Sequence, residues 1–259
     1  FEAVITDEGP GFDAPPPTPS GLGVGLAGAG RLMDQLLIET LPGGGRVTTS
    51  KRLPASGSID HRTDRWWVEV VSRPRIGNSV SGDRWWAQNG GASLLLAVVD
   101  GLGSGPGAAQ ASTEVVESLS GQDADRPLHE LMEGSHRSAA PTRGAVALLA
   151  RLRSEEETLE YVSVGDVAGR VEPSGERLVP TPGVLGVELP RLEVARIPWS
   201  AESRLSLWTD GIAPSDESRF DGPDDRDRRG DWIETVTREH GIERDDCLLL
   251  TAGETGRSS

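Results

Sequence analysis

Residues 93–99 (SLLLAVV) form an almost unbroken apolar run of strand length that ends in Asp100-Gly101. A half-exposed strand alternates apolar and polar residues, so a continuous run of this length reads as a strand buried on both faces. The same grammar recurs further on. Leu205, Leu207 and Trp208 lead into Asp210-Gly211, and Leu248–Leu250 is preceded by Asp245-Asp246. Asp83 follows Gly82 in the turn before Trp85-Trp86. Four acidic positions therefore flank hydrophobic strands.

Carboxylates gathered at the rim of a sheet repel one another unless a cation lies between them. All-oxygen donors favour Mg²⁺ or Mn²⁺ over zinc, and two such ions about 4 Å apart can activate a water and clamp a phosphoryl group. Phosphomonoester hydrolysis is the chemistry such an arrangement suits. A lone Asp-Gly is most often only a turn; four acids in this order are a different matter.

Composition narrows the partners. With 41 Asp+Glu against 26 Lys+Arg the formal charge is −15, and phosphate-backbone binding relies on basic side chains, so neither nucleic acid nor a membrane is the expected partner. Residues 1–53 hold 6 acids and 4 bases, which leaves −13 on the remainder. The single cysteine, Cys247, excludes a disulfide framework and a Cys-rich zinc site and points to a reducing, cytoplasmic compartment. No apolar run approaches the ~20 residues a bilayer span requires.

Patterning divides the chain. Residues 1–53 read as a strand at Phe1–Ile5, a Pro-rich loop, a glycine repeat at Gly21–Gly25, a helix over Leu26–Leu37, a turn at Pro42–Gly45 and a strand Arg46–Leu53. Residues 54–65 read as a linker, 66–253 as the main domain and 254–259 as a disordered tail. Strands are expected at Trp66–Ser72, Ser93–Val99, Gly144–Leu152, Thr158–Val164, Leu192–Ile197, Arg204–Trp208 and Cys247–Thr251. Helices are expected at Pro106–Leu119, Pro127–Arg137 and Trp232–Glu239. Asp221–Asp231 (DGPDDRDRRGD) reads as a mobile charged loop.

From about residue 66 to 252 the chain resembles the metal-dependent 2C-type (PPM) serine/threonine phosphatases, in particular their bacterial SpoIIE-like branch. The resemblance is carried by SGD at Ser81–Asp83, VVDGLGSGPGAAQAS at Val98–Ser112, YVSVGDVAG at Tyr161–Gly169, PGVLG at Pro182–Gly186, LSLWTDGI at Leu205–Ile212 and RDDCLLLTA at Arg244–Ala252. It implies an α+β fold, an α/β/β/α sandwich of two mainly antiparallel sheets flanked by helices. It also implies two Mn²⁺ or Mg²⁺ ions, with Asp100 bridging both, the Gly101 carbonyl as a further ligand, and Asp83, Asp210 and Asp245 completing the sites. Asp246 replaces Asp245 if the strand begins one residue later. Asp100 and Asp210 are the catalytic candidates. The implied substrate is a phosphorylated sigma-factor antagonist or related regulator in a bacterial partner-switching stress pathway. Two positions depart from the pattern: Ser104 stands where the branch usually has histidine, and Asp166 where asparagine is usual, outside the expected metal shell.

The first block resembles the carboxy-terminal half of the GHKL ATPase α/β sandwich, as in anti-sigma serine kinases. Asp7-Glu8-Gly9-Pro10-Gly11 fits D-x-G-x-G, and Gly21-Leu22-Gly23-Val24-Gly25 fits G-x-G-x-G. Such glycines let backbone amides approach phosphates, so Asp7, Gly9, Gly11, Gly21, Gly23 and Gly25 are the nucleotide-binding candidates. The family's Asn-bearing helix would lie upstream of Phe1, so ATP is expected only if that half exists. The alternatives are a non-catalytic regulatory binding module and a bifunctional anti-sigma kinase/phosphatase.

Of the remaining residues, His61, His129, His136 and His240 lack metal spacing, and Cys247 reads as a buried, inert thiol. One Trp of each doublet, Trp66-Trp67 and Trp85-Trp86, is expected in the core, the other on a binding surface. Arg75 reads as a solvent-exposed arginine within reach of a phosphate.

Overall fold

A computed structural model describes residues 2–7, 35–41, 44–50, 65–78, 80–90, 92–120, 122–123, 125–213, 222–223 and 226–255. The chain divides into two compact units, Phe1–Ala55 and Ser56–Ser259.

In the first unit β1 (Glu2–Asp7), β2 (Gln35–Leu41) and β3 (Gly44–Ser50) form an antiparallel sheet in the order β1-β3-β2. The expected helix over Leu26–Leu37 is corrected at its end. Gln35, Leu36 and Leu37 pair with Ser50, Thr49 and Thr48 in β2 and β3. Clustered apolar residues satisfy either period, and here the hairpin supplies partners to the strand.

The second unit holds two five-stranded antiparallel sheets. One is ordered β10-β9-β12-β13-β4 and the other β11-β8-β7-β6-β5. Their strands are β4 (Trp66–Arg73), β5 (Asp83–Asn89), β6 (Ser93–Gly101), β7 (Ala145–Arg153), β8 (Thr158–Val164), β9 (Ala168–Glu172), β10 (Glu176–Leu178), β11 (Ala195–Pro198), β12 (Arg204–Trp208) and β13 (Cys247–Glu254). Helices α1 (Pro106–Ser120) and α2 (Leu128–Ala139) cover one sheet, and α3 (Arg226–His240) the other.

The apolar run in β6 has the cause its sequence suggested. Leu94, Leu96 and Val98 enter the core between the sheets with Val68, Leu148, Leu207 and Leu250, while Leu95, Ala97 and Val99 pack under α1 and α2 with Val115 and Met132. Strand β13 does the same, with Leu248 and Leu250 between the sheets and Leu249 under α3. Each fully buried side chain of this size contributes roughly 1.5–3 kcal/mol, so the order of the four layers is set by which face of these strands each residue occupies. The α/β/β/α arrangement agrees with the fold expected from sequence.

Local corrections follow from tertiary partners. The charged stretch Asp221–Asp231 is not all loop, because α3 begins at Arg226. The Arg229 guanidinium lies 3.9 Å from the centre of the Trp67 ring, which anchors the charged first turns. Residue 254, expected at the head of the tail, belongs to a strand. Glu254 ends β13, where its carboxylate accepts from Trp199 Nε1 (3.1 Å) and Ser154 Oγ (2.8 Å) and its carbonyl from Trp67 Nε1 (3.1 Å). Trp67 thus serves the fold and not a binding surface, and Trp85 and Trp86 pack on opposite core clusters. Strands β5, β9 and β10 were not expected. β11 spans Ala195–Pro198, against the Leu192–Ile197 expected from sequence. Among the described residues no helix is long and apolar enough to cross a membrane.

Candidate metal centre and active site

Asp83 and Asp100 face each other as ladder partners at the ends of β5 and β6. Asp210 follows β12 and Asp245 precedes β13, so both sheets deliver an acid at the end of a buried strand. Asp100, Asp210 and Asp245 line one cavity of about 300 Å³, together with Asp166, Ser104, Leu102, Gly103, Val146, Arg75 and Arg244. Asp83, beside Asp100 across the ladder, is 1% exposed.

The two Asp-Gly pairs are built for close approach. Asp100-Gly101 lies in β6 and is no turn. A Cβ on Gly101 would stand 2.0 Å from the Ala108 carbonyl oxygen, and one on Gly211 1.9 Å from that of Asp246. Helix α1 and the β13 loop pass so near the acids that only glycine fits behind each.

Thr209 ties the sheets together at this point. Its Oγ1 donates to Asp83 Oδ2 at 2.8 Å and accepts from the Leu248 amide at 3.0 Å. Asp83 Oδ1 stays buried with no N–H or hydroxyl donor among the described residues, and the neighbour that shares a hydrogen bond with the Asp83 carboxyl there is another acid, Asp100. An orphaned carboxylate oxygen in such a place is costly without a proton or a cation.

The electrostatics point the same way. Burial is the main cause that pushes Asp83 up to about 7; the Thr209 hydrogen bond opposes it, and the charge of Asp246 adds to it. Asp100 is pushed up to about 9 by burial, then by the charges of Asp83 and Asp210. Asp210 is raised by burial and by Asp245 and Asp166. Among the described residues no three His, Cys, Asp or Glu side chains close on one point as a finished cage. The acids instead ring a cavity, and their all-oxygen donor set, mutual repulsion and orphaned Oδ1 fit hard divalent cations.

Asp245 and Asp246, interchangeable by sequence, separate here. Asp245 faces the cavity. Asp246 is 2% exposed, and its Oδ1 and Oδ2 accept from the amides of Arg75 (2.7 Å) and Gly82 (2.9 Å). It holds the β4–β5 loop with both carboxylate oxygens. Asp166, expected outside the metal shell, lines the cavity and adds its charge to Asp100 and Asp210. Thr209 and Arg244 are not among the site residues expected from sequence, although each lies in a motif quoted above beside a named aspartate, Asp210 or Asp245. Cys247 is buried and its thiol pushed up by burial, in keeping with an inert role.

Of the nucleotide-binding candidates, Asp7 closes β1 opposite Gly45. Gly9, Gly11, Gly21, Gly23 and Gly25 lie outside the described residues, as do linker residues 54–64 and tail residues 256–259.

Comparison with known proteins agrees with this geometry. The chain is 29% identical over 146 residues to the phosphoserine phosphatase RsbX of Bacillus subtilis (strain 168), covering 55% of this chain and 73% of that protein. Its fold is similar to RsbX in complex with magnesium, with a TM-score of 0.64 and 21% identity over 85% of this chain and 100% of that one. It is also similar to the PP2C phosphatase domain, with a fragment of the regulatory domain, of Bacillus subtilis SpoIIE: TM-score 0.62, 17% identity, 100% of this chain and 79% of that one. The family model for stage II sporulation protein E matches residues 90–250, a stretch that runs from the head of β6 to β13 and takes in Asp100, Asp166, Asp210 and Asp245. This chain belongs to the SpoIIE family.

Proposed function

We propose that the chain is a Mn²⁺- or Mg²⁺-dependent phosphoserine/phosphothreonine protein phosphatase. Its substrate is a phosphorylated sigma-factor antagonist or related regulator of a partner-switching stress pathway in the bacterial cytoplasm. The observation that carries the reading is the ring of acids at the strand ends, with Asp83 pushed to about 7 by burial and the charges of Asp246 and Asp210, and Asp100 to about 9 by burial and the charges of Asp83 and Asp210. Likeness to the phosphoserine phosphatase RsbX supports the substrate class.

Asp100, Asp83, Asp210 and Asp245 would hold the cations with the Gly101 carbonyl. Two divalent ions there supply a water of lowered pKa and charge to offset the phosphoryl oxygens. The chain's own residues prepare that site. Thr209 fixes the Asp83 carboxylate, Asp246 fixes the loop that leads to Asp83, and Leu102 and Val146 form an apolar wall of the cavity.

The test is hydrolysis of an aryl phosphate and of a phosphoserine peptide with and without Mn²⁺. Turnover that needs no metal, or an Asp100→Ala protein as active as the parent, overturns the reading. Partner binding without turnover that survives the loss of Asp100 and Asp210 identifies a regulatory module instead.

For residues 1–53 we infer the carboxy-terminal part of a GHKL-like ATPase segment. Support comes from the antiparallel order β1-β3-β2 and from Asp7 at the end of β1. Binding of a fluorescent ATP analogue that is lost in Asp7→Ala checks it.

A further inference from the structure

Two loops at the cavity mouth are stitched into one surface. The Ile76 amide donates to the Glu243 carbonyl (3.1 Å), the Ile242 amide to the Gly211 carbonyl (2.8 Å), and the Arg75 amide to Asp246 Oδ1 (2.7 Å). Arg75 and Arg244 come from these two loops and line the cavity, and both are exposed. Beside them Ile76 is 70% and Ile242 40% exposed, two of the five exposed large hydrophobic side chains among the described residues. Nothing in the packing of the described core calls for two isoleucines in water there.

The charge pattern names the occupant. The cavity walls carry Asp100, Asp166, Asp210 and Asp245 while the rim carries two guanidiniums, in a chain whose net charge is −15. A phosphoserine brings about −1.5 to −2 charges and three acceptor oxygens, which guanidiniums bind bidentately. Its flanking side chains must land just outside the cavity, where the isoleucines stand. We propose that this rim is the platform for the substrate protein: Arg75 and Arg244 take the phosphoryl group, and Ile76 and Ile242 take an apolar side chain next to the phosphoserine. The proposal rests on the phosphatase reading and adds a sequence preference to it. Asp246 is a positioning residue, because it holds the Arg75 backbone while touching no substrate.

The two halves of the platform are separable, since an aryl phosphate reaches only the arginines. The probes are p-nitrophenyl phosphate, the peptide Ala-Gly-Leu-phosphoserine-Leu-Gly-Ala, and the same peptide with Asp in place of both Leu, each with Mn²⁺. The parent prefers the Leu peptide. The double variant Ile76→Ser/Ile242→Ser raises KM for the Leu peptide about tenfold and leaves kcat and the aryl phosphate unchanged, as expected for loss of apolar contacts at an interface. Arg75→Ala/Arg244→Ala raises KM for every probe, and the Lys variants restore part of the loss. Equal KM for the two peptides, or an Ile76→Ser/Ile242→Ser protein that handles the Leu peptide like the parent, overturns the platform. If the parent turns over no probe, the phosphatase reading fails by itself. Binding of the corresponding phosphonomethylalanine peptides then still decides the platform, which requires tighter binding of the Leu form.

Discussion

The two ends of the β11-β8-β7-β6-β5 sheet treat buried carboxylates in opposite ways. At one end Glu160 meets Arg196 Nη2 at 2.8 Å, Arg153 Nε at 3.5 Å and Arg151 Nη1 at 3.6 Å. Burial alone would raise its pKa, but the Arg196 hydrogen bond and the charges of Arg153, Arg196 and Arg151 hold it below the usual value. At the other end Asp83 and Asp100 face each other across the ladder with further acids around them, and both are pushed up. The same sheet thus satisfies one carboxylate fully and leaves two in conflict. A chain that can build the first arrangement has no structural need of the second, so the acid end is read as made for a charge that arrives from outside.

Substitution should expose that asymmetry. The largest effect expected is in turnover: Asp100→Ala should lower Mn²⁺-dependent kcat/KM by more than the ~10–100-fold typical of outer-shell partners of a metal site. Its metal-free melting temperature near neutral pH should hold or rise, because a buried carboxyl that must keep a proton there is removed. Glu160→Ala should do the reverse. It removes the carboxylate that pairs with the buried Arg151, itself 2% exposed, and should cost about 3–5 kcal/mol in urea unfolding. Activity per folded molecule should stay near that of the parent. Two variants that both lost stability and activity together would erase the distinction between the two ends.

Much of this was legible in the residues. Buried strands announce themselves by unbroken apolar runs, and the acids at their ends were visible as punctuation. What stayed hidden depends on partners distant in sequence. Asp245 and Asp246 are chemically identical neighbours, and only the amides of Arg75 and Gly82 turn the second into a clamp. Glu254 looks like the start of a polar tail until Trp67, Trp199 and Ser154 direct their donors at it. Strands β9 and β10 are too short and too charged for a period-2 signal, because Arg170 and Glu172 pair with each other inside β9. Asp166 shows the limit of motif reading: its place in a Gly-Asp pair gave no hint that it faces the cavity.

A smaller effect is expected from Asp246→Asn. The amide keeps one carbonyl acceptor and loses the charge, so one of the two loop amides loses its partner, at about 1.5–3 kcal/mol for a hydrogen bond to a charged group. Since the loop carries Arg75 and leads to Asp83, kcat/KM should fall severalfold while Mn²⁺ dependence persists. Urea melts and a Mn²⁺ titration of activity check the two parts separately.

The subtlest difference between the two ends is in how stability follows pH. Asp83 and Asp100 ionise near 3.8 when unfolded and near 7 and 9 when folded without metal. Between those values the folded state holds protons that the unfolded state has released, so rising pH favours unfolding. Their contribution is complete below about pH 4 and is lost as pH climbs through 7 and 9. Glu160 has the opposite sign, because its folded pKa is depressed. Its contribution is present above its unfolded value of 4.5 and is lost as pH falls through the folded one. In chelator-treated protein the stability measured by urea unfolding should therefore decline from about pH 6 to about pH 9, and Glu160→Gln should not alter that decline. Mn²⁺ should flatten it, because cations take the place of the protons, and its apparent affinity should strengthen with pH for the same reason. A metal-free protein with level stability over that range would mean that Asp83 and Asp100 are not in conflict, and the two ends of the sheet would then be alike.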